Sequence, residues 1–217
     1  MIINLGDAPF KAFITVTYPK GTCTVSDGTT TQSHSGGGTY TFTVKKKGTY
    51  TVKIQYNTAV KSATVNITKR GQVASVALDY KLYLYNAGKT DLTITFRTEQ
   101  SATGTLGSNY ISMTGSEKWY GDIQMDTEPA IDLTPYSTAN FVIDNTGSGS
   151  DFYIGFGPTK GTTSTARINV HGDQTKTTKS LDISNLNGVY YFTAERYTNS
   201  SSLGNGTTNI YSAWLDV

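Results

Sequence analysis

Residues that could perform nucleophilic or acid–base chemistry are few in this sequence. Nucleophilic catalysis requires a Ser, Cys or Thr beside a base, usually a histidine. The chain has two histidines, His34 in the glycine-rich stretch SHSGGG and His171 in the stretch NVHGD. The glycines around His34 indicate a loop that fixes no geometry, and His171 is expected in a solvent-exposed turn. We therefore predict no nucleophile–base pair.

Acidic residues are more numerous and crowd one segment. Glycoside hydrolysis needs two carboxylates about 5 to 9 Å apart on either side of one sugar. The candidates are Glu99, Glu117, Asp122, Asp126 and Glu128. The sequence alone does not place any two of them together, and with 16 acidic residues in the chain, solvated positions are the expectation. An enzyme is not predicted, and a glycosidase would require carboxylates near Glu117 and Asp126 to converge in a cleft.

Metal and cofactor chemistry is also not predicted. Cys23 is the single cysteine, so neither an internal disulfide nor a thiolate metal site is expected, and it suits a buried strand position. The oxygen-rich segments Asp144-Asn145-Thr146-Gly147 and Gly172-Asp173 lack the spacing of a calcium loop. We predict no metal and no cofactor.

One aromatic pair differs from the others in its surroundings. Most tyrosines lie in alternating runs, where they fill a core or pair across strands. Trp119 and Tyr120 instead lie in SEKWYGD, among charged residues and a glycine. Flat rings flanked by hydrogen-bonding groups are typical of sugar platforms and of protein interfaces. We predict ligand binding at Trp119 and Tyr120, against the alternative of an ordinary tryptophan at the edge of the core.

The charge balance argues against several partners. Eighteen basic and 16 acidic residues give a net charge of +2, which provides no electrostatic footprint for nucleic acid or an anionic membrane. Lys45, Lys46 and Lys47 are expected at a solvated hairpin tip. The start, MIINLGDAPFKAF, has neither the basic nor the apolar region of a secretory signal. We therefore expect a virion protein that assembles in the host cytoplasm, or a mature fragment of a secreted precursor.

The elements that would position these residues are strands. Short runs of alternating apolar and polar residues, rich in Thr, Tyr and Val and separated by turn signals, predict an all-β protein. We predict an N-terminal arm at residues 1–11, a small immunoglobulin-like antiparallel sandwich at 12–80, a linker at 81–89 and a larger jelly-roll-type sandwich at 90–217. In the larger domain, Phe152, Ile154 and Phe156 alternate toward one face.

Part of the sequence resembles a known module. The stretches ITVTYPKGTCTVSDGTTT and GTYTFTVKKKGTYTVKIQYNTAVKSATVNITKRGQVASVAL are similar to a small sandwich in tail or appendage proteins of phages that infect Firmicutes. IDLTPY and LDISNLNGVYYF resemble segments of the larger sandwiches that follow it. The resemblance implies an Ig-like or PEGA-like module, followed by a jelly roll similar to carbohydrate-binding modules.

The leading hypothesis is therefore a non-enzymatic phage virion structural protein of the tail, baseplate or head decoration. Its partners would be other virion proteins, copies of itself and a host-surface glycan, with no nucleic acid and no membrane insertion. The alternative is a bacterial cell-surface adhesin or carbohydrate-binding module.

Overall fold

The computed structural model describes residues 9–98, 102–115, 123–147, 150–161, 165–198 and 206–217. Over these ranges the chain forms seventeen strands and no helix, so the prediction of an all-β fold is confirmed. Consequently, no helix in the described part of the chain could cross a bilayer. The chain divides into two compact units, Met1–Tyr80 and Lys81–Val217.

The smaller unit contains five strands. They are β1 (Ala12–Ser26), β2 (Thr31–Val44), β3 (Gly48–Tyr56), β4 (Ala59–Ile67) and β5 (Val73–Ala77). The strand order is β2-β1-β3-β4, and β5 pairs in parallel with β1. Alternate residues of β1, including Ile14, Val16, Cys23 and Val25, are buried in the core.

The hairpin tip predicted at Lys45, Lys46 and Lys47 is wrong, because the strands on either side of it, β2 and β3, do not pair and β1 lies between them. Residues 22–26 of β1 pair with β3 on one edge while β2 occupies the other. Lys46, predicted at a solvated tip, forms a 2.8 Å ion pair with Asp27. An alternating strand fits a neighbour on either edge, so the pattern alone does not fix the strand order.

The glycine-rich stretch predicted as a loop is mostly strand. It forms the first half of β2, which pairs with β1, and the pairing is irregular between Tyr18 and Gly21 of β1. A Cβ at Gly37, where φ is +132°, would lie 2.3 Å from the Pro19 carbonyl oxygen. Only glycine fits such a position. His34 is also fixed, because its Nδ1 lies 2.7 Å from the Tyr18 hydroxyl and its ring stacks on Tyr40 at 3.9 Å.

The larger unit contains twelve strands. They are β6 (Leu82–Asn86), β7 (Thr93–Thr98), β8 (Thr103–Leu106), β9 (Ile111–Thr114), β10 (Ile123–Glu128), β11 (Ile131–Asp132), β12 (Thr138–Asn145), β13 (Ser150–Gly157), β14 (Ala166–His171), β15 (Gln174–Asp182), β16 (Val189–Thr198) and β17 (Thr207–Asp216). Sheet I has the order β14-β13-β16-β10-β7, with β11 beside β16. Sheet II has the order β15-β12-β17-β9-β8, with β6 beside β17.

The two sheets pack face to face around an aromatic core. The ring of Phe141 in sheet II lies 6.0 Å from that of Phe192 and 6.4 Å from that of Phe156, both in sheet I. Phe152, Ile154 and Phe156 are fully buried, as their alternation predicts. Asp151 and Tyr153, which alternate with these residues, therefore point away from the core.

The segment predicted as a linker, 81–89, is part of the larger unit. Its residues Leu82–Asn86 form β6, which pairs with residues 212–215 of the last strand. Leu84 and Tyr85 are only 2% and 0% exposed, and burial of two large apolar side chains stabilises a strand here. The prediction that this segment is a joint between domains is corrected accordingly.

Candidate functional site

The aromatic pair predicted to bind ligand, Trp119 and Tyr120, lies outside the described residues. The same holds for three of the five acidic candidates, Glu99, Glu117 and Asp122. The prediction for Trp119 and Tyr120 stays a prediction. The other two acidic candidates, Asp126 and Glu128, lie on the outer face of sheet I.

The outer face of sheet I has a row of planar polar side chains. Its members occupy directly opposed positions on five adjacent strands. In the order of the strands from β7 to β14, they are Arg97, Gln124, Glu195, Tyr153 and Asn169. With strands about 4.8 Å apart, the row is about 19 Å long.

The local sequence explains why these side chains point outward. Each member of the row is adjacent in sequence to apolar residues that enter the core, among them Met125, Ile154 and Ala194, which are all fully buried. Successive side chains of a strand point to opposite faces of the sheet. We call the solvent side of sheet I the polar face, and its described members beyond the row are Asp126, Glu128, Asp151, Arg167, His171, Tyr191 and Thr193.

Arg97 and Asp126 form the most deeply set ion pair of the polar face. The Nε of Arg97 donates to the Asp126 carboxylate at 2.8 Å, and the Asp126 side chain is only 4% exposed. The Nη2 of Arg97 donates to the Gly161 carbonyl at 2.8 Å. Gly161 follows β13, so this contact brings the β13–β14 connection across the sheet to β7. Lys160 in the same connection pairs with Glu128 at 2.8 Å.

A cation covers the aromatic ring at the centre of the polar face. The Arg167 guanidinium carbon lies 4.0 Å from the centroid of the Tyr153 ring, a distance typical of a cation–π contact. Burial, and then the neighbouring Asp151 carboxylate, raises the pKa of the Tyr153 hydroxyl. The hydroxyl is therefore protonated at neutral pH and can donate a hydrogen bond.

The close approach of β13 and β14 depends on Gly155. A Cβ at this position would lie 2.0 Å from the Ala166 carbonyl oxygen and 2.7 Å from the Arg167 Cα. Both are backbone atoms, so a larger residue would displace β14. Gly155 therefore fixes the strand that carries Arg167 beside the Tyr153 ring.

The two ends of the polar face differ. At one end, His171, which is 66% exposed, forms a 2.6 Å contact between its Nδ1 and the Asp151 carboxylate. At the other end, a shallow pocket of about 420 Å³ is lined by Thr93, Glu128, Pro129, Ala130 and Tyr191. The face therefore offers hydrogen-bonding groups along its length and a second aromatic side chain in the end pocket.

The segments considered for calcium have structural hydrogen bonds instead. Asp144 accepts hydrogen bonds from Asn209 and from the Tyr211 hydroxyl, and Asp173 accepts one from the Gly147 backbone amide at 2.6 Å. Across the described ranges, no three His, Cys, Asp or Glu side chains cluster as a metal site.

The outer face of sheet II differs from the polar face because it has several aromatic rings with lysines beside them. Tyr83, which is 48% exposed, lies 6.3 Å from Trp214, and Lys81 lies over the Trp214 ring at 5.3 Å. Tyr211 contacts Tyr110 and is covered by Lys176 at 3.7 Å. Lysines thus cover two of these four rings, which leaves Tyr83 and Tyr110 as the more open ones.

Comparison with known proteins gives only distant likenesses. No protein-family model and no curated protein matches the chain. Among solved structures, a low affinity xylan binding module, CBM86, from Roseburia intestinalis is 12% identical with a TM-score of 0.38, over 58% of this chain and 94% of that chain. A mutant carbohydrate binding module of family 29 is 8% identical with a TM-score of 0.43, over 62% and 90%.

A third likeness is to the glycoside hydrolase domain of Endo-D from Streptococcus pneumoniae. It is 17% identical with a TM-score of 0.43, over 58% of this chain and 21% of that chain. At these identities and TM-scores the likenesses supply no argument about a ligand, and a functional assignment depends on the residues of the polar face.

Proposed function

We propose that the larger unit binds carbohydrate through the polar face, without catalysing a reaction on it. The observation that supports this is the row of five planar polar side chains in direct cross-strand register on an open sheet. A guanidinium, two amides, a carboxylate and a phenol combine donors and acceptors in fixed orientations. Neighbouring hydroxyls of a sugar need this combination, since each can donate and accept.

The shape of the polar face favours an extended sugar chain. The row runs from one edge strand of the sheet, β14, to the other, β7, and is about 19 Å long, so several consecutive sugar units can lie along it. A pocket for a single terminal sugar would instead enclose its ligand. The end pocket near Tyr191 adds an aromatic side chain that can pack against the apolar side of one sugar ring.

A protein partner fits the polar face less well. The centres of protein interfaces are enriched in aromatic residues and Arg but depleted in Asp and Glu. Here Glu195 lies in the middle strand of the row and Asp126 in the next strand of the sheet. Carboxylates at the centre favour a ligand rich in hydroxyl donors.

Affinity electrophoresis in gels that contain soluble polysaccharides tests the proposal. We expect at least one polymer to retard the full chain, and Tyr153→Ala to weaken that binding by on the order of tenfold, since a central aromatic contact contributes about 1 to 2 kcal/mol. Tyr83→Ala is the matched control, because it removes an exposed tyrosine from sheet II. Absence of retardation by every polymer, or equal losses in the two variants, would refute the proposal.

Trp119→Ala tests the site predicted from the sequence in the same gels. Loss of retardation in this variant alone would move the binding site from the polar face to the SEKWYGD segment. Retention of binding would leave the polar face as the site.

The virion role stays a prediction that depends on the resemblance. It is compatible with sugar binding, because a virion component on the particle surface can contact host glycans. Light scattering coupled to size-exclusion chromatography provides a first test. A discrete symmetric oligomer is expected for a virion component, whereas a monomer at all concentrations would favour the alternative of an isolated carbohydrate-binding module or adhesin domain.

A further inference from the structure

The charges of the polar face are almost fully paired within the protein. Three contacts join an acidic group to a basic one. They are Arg97 with Asp126, Lys160 with Glu128, and His171 with Asp151. In each contact the nitrogen and oxygen atoms are within 2.8 Å. These pairs leave Arg167 and Glu195 as the remaining charges among the described residues of the face.

Arg167 and Glu195 lie on either side of one ring. Arg167 stacks on Tyr153 at 4.0 Å, and Glu195 is the direct cross-strand neighbour of Tyr153. Both charges act on the Tyr153 hydroxyl, Arg167 lowering its pKa and Glu195 raising it. The Tyr153 hydroxyl is therefore influenced by a cation on one neighbouring strand and a carboxylate on the other.

The polar face offers no cluster of free cations to an acidic ligand. Recognition of a carboxylate or sulfate depends on bidentate or clustered donors. Arg97 already directs Nε and Nη2 at protein oxygens. Across the described residues, the charged groups are four carboxylates (Asp126, Glu128, Asp151 and Glu195), three permanent cations (Arg97, Lys160 and Arg167) and the titratable His171, so the face has no excess of positive charge.

From this charge pattern we infer that the polar face selects neutral polysaccharides over polymers that bear carboxylate or sulfate groups. The inference deepens the proposed function and rests on it. Hydroxyls can bond to the free lone pairs of the paired carboxylates without breaking an ion pair. An acidic group at the same position meets like charges instead, which costs affinity.

The test compares polymers that share a backbone and differ in the charge of their substituents. Affinity electrophoresis would be run with dextran and dextran sulfate, and with hydroxyethyl and carboxymethyl cellulose, at an ionic strength near 20 mM so that screening does not hide the effect. For each pair that is bound, we expect the neutral member to bind at least tenfold more tightly. Equal or tighter binding of the acidic member would overturn the inference while leaving the proposed function intact. Absence of binding to both members of every pair would overturn the proposed function itself, and the inference with it.

A charge variant tests whether the polar face causes the discrimination. Glu195→Gln keeps the size and the acceptor oxygen but removes the negative charge. Because Glu195 belongs to the row, we expect the variant to weaken binding to the neutral polymer. Binding to the acidic polymer should weaken less, so that the preference for the neutral polymer falls by about threefold, a change near 0.6 kcal/mol. Asp182→Asn in sheet II makes the same change in net charge, and asparagine keeps the oxygen that accepts from Ser184. If the two variants change the preference equally, the charge of the whole protein, and not the polar face, causes the discrimination.

Discussion

Arg97→Ala should destabilise the larger unit more than Asp126→Ala does, although the two residues form one ion pair. Removal of Arg97 leaves the Asp126 carboxylate, whose side chain is 4% exposed, without its cation. Removal of Asp126 leaves Arg97, whose side chain is 55% exposed, free to turn toward water. Exposed pairs contribute about 0.2 to 1 kcal/mol, whereas loss of one partner from a buried pair costs about 3 to 5 kcal/mol.

This pair is buried on one side only, so its two members should give different values. We expect Arg97→Ala to lower the free energy of unfolding by about 2 kcal/mol and Asp126→Ala by about 1 kcal/mol. The double variant should resemble Asp126→Ala, because the carboxylate that Arg97 neutralises is then absent. The coupling between the two substitutions would be about 2 kcal/mol.

Urea denaturation followed by tryptophan fluorescence measures the stability of the larger unit, where Arg97 and Asp126 lie. Both tryptophans of the chain, Trp119 and Trp214, belong to the larger unit, so their emission reports its unfolding and not that of the smaller unit. Equal costs for the two single variants, or additive costs in the double variant, would show that solvent screens the pair and that Asp126 does not need Arg97.

Three further predictions concern stability. Burial raises the pKa of the Cys23 thiol to about 11. Iodoacetamide at pH 8 should therefore modify Cys23 in the native protein only as fast as the smaller unit unfolds to expose it, whereas in denaturant the modification should be rapid. The hydrogen bond to Asp144 raises the pKa of the Tyr211 hydroxyl from 10 to about 12. Its stabilisation is therefore complete below pH 10 and lost as pH rises through 12, and Tyr211→Phe should reduce this alkaline loss in denaturation curves. Gly37→Ala should cost the smaller unit about 2 kcal/mol or more, and by calorimetry clearly more than Gly28→Ala, where a Cβ has open space.

The fold class follows from the sequence because alternation is a local property. The inward positions of Phe152, Ile154 and Phe156 can be predicted from their spacing, and all three are buried. Strand order and register depend on distant partners. The sequence of residues 81–89 predicts a linker because the strand with which they pair, residues 212–215, lies more than a hundred residues later in the chain. The glycine-rich start of β2 reads as a loop because its strand geometry depends on pairing with β1.

The candidate site was only partly accessible to sequence reasoning for the same reason. Alternation predicts that Tyr153 points outward, since its neighbours Phe152 and Ile154 point inward. It does not predict that Glu195 lies between Tyr153 and Gln124, because this depends on the register of three strands that are far apart in the chain. Sequence reasoning therefore favoured Trp119 and Tyr120, which are adjacent in the chain, over a row assembled from five strands.

The internal contacts of the polar face also favour the proposed binding of a ligand that offers only hydroxyl groups. Immobilising a flexible side chain on binding costs about 0.5 to 1.5 kcal/mol, and a guanidinium has five donors while a carboxylate has about four acceptor sites. Arg97 is already held by Asp126 and by the Gly161 carbonyl, and Arg167 by the Tyr153 ring. These contacts use only part of the hydrogen-bonding capacity of each group. A hydroxyl can therefore bond to the remaining donors and acceptors without ordering the side chain anew, whereas a ligand carboxylate gains most by displacing Asp126 from Arg97. The same pairing that positions the row for a neutral sugar thus works against an acidic one.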